Sequence, residues 1–70
     1  MNVNLLKAKM AAFGETQAQL AKAIGRSASN LNDKITGKVS FRQKDIFAIK
    51  KHYNLSAEDV DLIFFDNELS

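Results

Sequence analysis

The chain of 70 residues predicts an all-α, compact five-helix domain. Three observations carry this reading. Proline is absent, and glycine occurs only at 14, 25 and 37, between segments of apolar periodicity, where it acts as a stop. Apolar residues recur at helical rather than alternating spacing, as in Leu20 and Ile24, Leu31 and Ile35, and Val60, Ile63 and Phe64. A capping side chain stands ahead of the segments: Asn2 or Asn4, Thr16, Ser27 and Ser56.

Helix 1 is expected from about Leu5 to Phe13, with Leu6, Met10 and Phe13 as its apolar stripe and Gly14 as its end. Thr16 and Gln19 form a capping box for helix 2, expected over Gln17 to Ile24. Helix 3 should begin after Ser27 and finish near Thr36, ahead of Gly37. Ile46, Ile49 and Tyr53 lie at i, i+3 and i+7, so helix 4 covers at least Asp45 to Tyr53. Its start falls near Ser40 or Arg42, where Asp45 suits the positive end of the helix dipole. Ser56 and Asp59 open helix 5, which reaches about Phe65 and leaves 66–70 as a frayed end. The whole of 1–70 reads as one domain without repeats or a linker.

Helices 2 and 3 hold the most specific pattern. Leu20 and Ile24 share one face, Ala21 allows a close helix crossing, and Gly25 accepts the positive φ of a sharp turn. Ser27 caps the next helix, which buries Leu31 and Ile35 and keeps a polar outer face. Two helices so joined make a helix-turn-helix, a scaffold suited to the DNA major groove.

The stretch TQAQLAKAIGRSASNLNDKITGK, residues 16–38, resembles the helix-turn-helix of the lambda-repressor/Cro-like superfamily. Thr16-Gln17, Leu20-Ala21, Ile24-Gly25, Leu31 and Gly37-Lys38 carry the likeness, which extends with less specificity over about residues 5–56. Length and the phrase Gly37–Ile46 look most like small Cro-like regulators of temperate phages of Gram-positive bacteria. One position departs from the pattern. Three residues before Gly37 the family carries a large apolar side chain, and here stands Lys34, so Ile35 is expected to fill that space.

Charge fits a polyanion partner. All ten Lys and Arg lie at or before Lys51 and are opposed there only by Glu15, Asp33 and Asp45, a net +7 for residues 1–56. Residues 57–70 carry five acids and no base, a net −5. A basic body with an acidic end suits nucleic acid held on one side. Other classes recede. No cysteine is present and His52 is the one histidine, so neither a disulfide nor a metal centre is expected. No paired carboxylate, Ser/His/Asp set or glycine-rich phosphate loop supports an enzyme. No apolar run reaches membrane length and no signal-peptide pattern opens the chain, so a cytoplasmic protein of the bacterial host is expected. No cofactor or small-molecule ligand is expected.

With Leu31 and Ile35 inward, Ala28, Ser29, Asn32 and Asp33 face outward, with Asn30 at the margin. The resemblance implies that these four read bases. Asn32 suits adenine, Ser29 donates or accepts, Ala28 fits a thymine methyl, and Asp33 accepts from cytosine. Phosphates repel Asp33 unless Lys34 or Lys38 neutralises it. Gln17, at the start of helix 2, is the expected backbone contact, with Lys38 beyond Gly37. Ser27 either holds phosphate or only caps; Arg26 and Arg42 add charge. His52 reads as structural, near the negative end of helix 4. On helix 5, Leu62 and Phe65 are left over when Val60, Ile63 and Phe64 pack inward. They form either a dimer contact or, for Phe65, a cover over helix 1. The expected activity is a repressor that binds a pseudo-palindromic double-stranded operator as a homodimer. The competing reading is a helix-turn-helix used for protein interaction: an antirepressor, an anti-defence protein or an antitoxin.

Overall fold

Each helix begins where a side chain satisfies backbone N–H groups that no earlier carbonyl can reach. The computed structural model describes residues 1–65; the expected frayed end, with Asp66 and Glu68, lies outside the described residues. Five helices follow in order: α1 (Val3–Ala12), α2 (Gln17–Ala23), α3 (Ala28–Ile35), α4 (Gln43–Tyr53) and α5 (Ala57–Phe64). Asn2 Oδ1 accepts from the N–H of Leu5 at 3.1 Å, which starts α1 two residues before the expected Leu5. Thr16 and Gln19 exchange bonds of 3.2 and 2.8 Å at α2. Ser27 Oγ accepts from Asn30 N–H at 3.0 Å at α3, and Ser56 and Asp59 exchange bonds of 3.0 and 3.2 Å at α5.

The core takes one fully buried aliphatic side chain from every helix: Leu6, Leu20, Leu31, Ile49 and Ile63. Full burial of such a side chain stabilises by roughly 1.5–3 kcal/mol. Met10, Ala21, Ile35, Tyr53, Val60 and Phe64 surround them, and Leu55 fills the junction of α4 and α5. Ile46 and Ile24 close the margin. The residue ahead of α1 meets the last turn of α5: Asn2 N–H donates to the carbonyl of Ile63 at 2.7 Å, seating α1 on α5.

Two expectations need correction. Phe13 is 54% exposed rather than in the core. The helix has ended at Ala12, so Phe13 leaves the Leu6–Met10 stripe and lays its ring on Tyr53, centroids 4.7 Å apart. Lys34 does not yield its space to Ile35. Both are buried, Lys34 at 4% exposure, and Lys34 Nζ lies 3.6 Å from Asp45 Oδ2.

Asp45 is therefore a structural hub. Its carboxylate is 1% exposed and accepts from Arg26 Nε at 2.7 Å and from Arg42 N–H at 3.1 Å. Burial pushes its pKa up, but the Arg26 bond, the Arg42 N–H and the charges of Arg26 and Lys34 together outweigh burial and hold it below the ordinary carboxylate value. The group ties the turn after α2, the last turn of α3 and the first turn of α4 to one another. Removing Asp45 leaves Lys34 buried without a counter-charge. Asp45→Ala should lose about 3–5 kcal/mol, measured by urea unfolding. Lys34→Met keeps Asp45 on Arg26 and Arg42 and should lose much less. Equal losses in the two variants would contradict the hub.

Candidate nucleic-acid interface

The turn between α2 and α3 is closed by the backbone. Gly25 takes φ +77°, which a side chain would strain, and Arg26 N–H donates to the carbonyl of Ala21 at 2.8 Å. Ala21 is buried, which lets α3 lie close on α2. α3 then presents Ala28, Ser29 and Asn32 to solvent, with Asp33 and Asn30 half-buried beside them. The outward face read from the sequence is thus brought together on one short helix.

Gln17 joins it. Its Nε2 donates to Asn32 Oδ1 at 3.3 Å, so the first residue of α2 touches the middle of α3 across the turn. The bond engages the Asn32 oxygen and leaves the amide nitrogen of this exposed side chain as a donor. Asn30 Oδ1 is buried and has no hydrogen-bond partner among the described residues.

The basic residues divide into two sets. Lys38 and Arg42 are exposed on the chain that leaves α3. Lys38 N–H donates to the carbonyl of Asp33 at 2.8 Å, which fixes where its side chain departs. Arg26 is committed inward to Asp45, with its side chain about one-third exposed. Lys34 is wholly inward, so it does not neutralise Asp33. Ser27 uses its hydroxyl as a cap. The Arg26–Lys34–Asp45 cluster was not read from the sequence, although a lysine at an apolar helix position was the signal for it.

A second polar cluster supports the front of α2. Tyr53 O–H donates to Glu15 Oε1 at 2.6 Å, and His52 Nε2 donates to Glu15 Oε2 at 2.8 Å. His52 is structural, as expected, but its partner is Glu15. The Tyr53 bond lowers the Glu15 pKa most, and the His52 bond and charge add to it against a rise from burial. Burial, then Glu15, pushes the Tyr53 hydroxyl above its usual value and keeps it a donor. Glu15 directly precedes the Thr16 cap, so the cluster pins the start of α2 to the end of α4.

Leu62 on α5 and Phe65 at its C-terminal cap are 46% and 59% exposed. At that exposure Phe65 does not complete the core over α1. Phe47, unremarked in the sequence, is 61% exposed on α4. Among the described residues no group of three or more His, Cys, Asp or Glu is placed to hold a metal ion, and no helix is long and apolar enough to cross a membrane. No family model matches the chain, and no curated protein or solved structure is significantly similar to it.

Glu15 and Asp45 both have depressed folded-state pKa values. Their contribution is present above their ordinary values of 4.5 and 3.8 and is lost as pH falls through the lower folded values. Stability followed from pH 6 to pH 3, roughly the span over which carboxylates titrate, should therefore fall with acid. Glu15→Gln should flatten part of that fall. An unchanged slope in Glu15→Gln would mean that the Tyr53 and His52 bonds do not stabilise the fold.

Proposed function

We propose that the chain is a sequence-specific transcriptional regulator that binds double-stranded operator DNA through α2 and α3, acting as a helix-turn-helix. The observation that carries this reading is the outer face of α3 and its support. Ala28, Ser29 and Asn32 are exposed side by side, and Gln17 orients Asn32 across the turn. Beneath them Leu31, Ile35 and the Lys34–Asp45 pair fix the helix. A helix so presented enters a major groove with donors and acceptors already aimed.

Asn32 reads adenine through its free amide N–H and, once Gln17 turns to a phosphate, through its oxygen. Ser29 and Ala28 read neighbouring base edges, and Asp33 accepts from cytosine at the margin. Lys38 and Arg42 hold phosphates, with Gln17 between the two tasks and Ser27 beside it at the start of α3. Arg26 contributes charge while its Nε stays on Asp45. The net +7 of residues 1–56 supplies the attraction. The mode of action is that of a small Cro-like phage repressor on a pseudo-palindromic operator, bound as a dimer through the α5 face that carries Leu62 and Phe65. With recognition helices one DNA turn apart, half-sites lie about 10 bp centre to centre.

A second reading rests on the exposed Leu62, Phe65 and Phe47: the α5 side binds another protein, as in an antirepressor or antitoxin. An electrophoretic shift on the DNA upstream of the chain's own gene separates the two. A dimer with about six to ten phosphate contacts should lose on the order of 10³–10⁵ in affinity between 50 and 200 mM salt. Lys38→Ala should weaken operator and random DNA alike. Asn32→Ala should cost about 1–3 kcal/mol on the operator and much less on random DNA. Salt-independent binding, or no shift at any site, would remove the DNA reading in favour of the protein partner.

A further inference from the structure

The exposed faces of α4 and α5 are of matched design. On α4, Lys44, Phe47 and Lys51 lie at i, i+3 and i+7, an aromatic ring between two lysines, all exposed. Lys51 Nζ stands 5.9 Å from the centre of the Phe47 ring. On α5, Glu58, Asp61 and Leu62 lie at i, i+3 and i+4, and Phe65 follows as the residue that caps the helix end, two acids leading into two apolar side chains, all exposed. Between the stripes runs a groove of about 460 Å³ bordered by Phe41, Ile46, Phe47, Val60 and Phe65. Glu58 and Asp61 take part in no ion pair among the described residues, nor do Lys44 and Lys51. Each stripe offers what the other needs, yet within one chain they lie side by side and do not cover each other.

We propose that this face binds a second copy of the chain, with α4 of each copy laid on α5 of the other about a twofold axis. That arrangement meets the basic aromatic stripe with the acidic apolar one twice over, once on each side of the axis. It covers Phe47 as well as Leu62 and Phe65, so the contact is a two-helix face centred on aromatic side chains rather than α5 alone. Apolar anchors provide the adhesion, and the opposed charges select the crossed pairing against α4 on α4 or α5 on α5. The inference deepens the dimer of the operator-binding reading, and it is tested without DNA, so either can fail alone.

The test is sedimentation velocity of the full chain over a dilution series. The wild type should shift from dimer to monomer on dilution, and Phe47→Ala should weaken the dimer at least about tenfold, the loss expected of an interface anchor. Two charge-reversed chains then test the pairing: Lys44→Glu with Lys51→Glu, and Glu58→Lys with Asp61→Lys. The first carries acids on both stripes and the second carries bases on both, so each alone should be monomeric while keeping the helical circular dichroism of the wild type. Mixed, they should form a 1:1 heterodimer, because every α4–α5 contact then joins opposite charges. A wild type monomeric throughout the series would overturn the proposal. So would a charge-reversed chain that dimerises alone as the wild type does, or a mixture that stays monomeric.

Discussion

The buried Asp45 carboxylate is the constraint on which the placement of α3 depends. It collects Arg26 from the turn, Lys34 from α3 and the N–H of Arg42 from the start of α4. Three segments are thereby fixed against one another. An ion pair this deep adds little net stability over an apolar substitute of the same shape, because both charges lose their water. What it adds is position. An arrangement of the short α3 that parts Lys34 from Asp45 leaves the buried Lys34 without its counter-charge. The same carboxylate opens α4, so α4 begins where α3 is anchored.

The second polar cluster does for α2 what Asp45 does for α3. Glu15 takes Tyr53 and His52 from the end of α4 and sits one residue ahead of the Thr16 cap. α4 thus holds the start of α2 at its C-terminal end and the end of α3 at its N-terminal end. Gln17 and Asn32 meet across the turn between those two fixed points. The proposed reading face is therefore held at both ends by charge and in the middle by Leu20, Leu31 and Ala21. In a domain of this size the apolar core alone leaves little margin, and polar ties of this kind set geometry that packing leaves loose.

Local features were legible in the sequence. Thr16, Ser27 and Ser56 cap where expected, because a cap is a contact across three residues and spacing reveals it. The inward pairs Leu31 with Ile35 and Ile63 with Phe64 follow from helical periodicity, as does the exposure of Leu62. Features set by distant partners were not legible. Arg26 and Asp45 are 19 residues apart, and Glu15 is 37 and 38 residues from His52 and Tyr53. Lys34 looked like a departure from an apolar pattern because its counter-charge comes from another helix. Phe13 followed the stripe of α1 in spacing, but the helix stops before reaching it. Leu55, a lone apolar residue between two helices, has no periodic neighbours to announce its burial.

At the site, the outward set Ala28, Ser29 and Asn32 was legible, whereas its tie to Gln17 and the inward commitment of Arg26 were not. The central claim is that α3 meets DNA with this face. Amide chemical shifts of the isotope-labelled chain, followed while a duplex from upstream of its own gene is added, test it most directly. Perturbations concentrated at Gln17, Ser27 to Asp33 and Lys38 would bear the account out. Perturbations confined to α5, or none on α3 at saturating DNA, would contradict it.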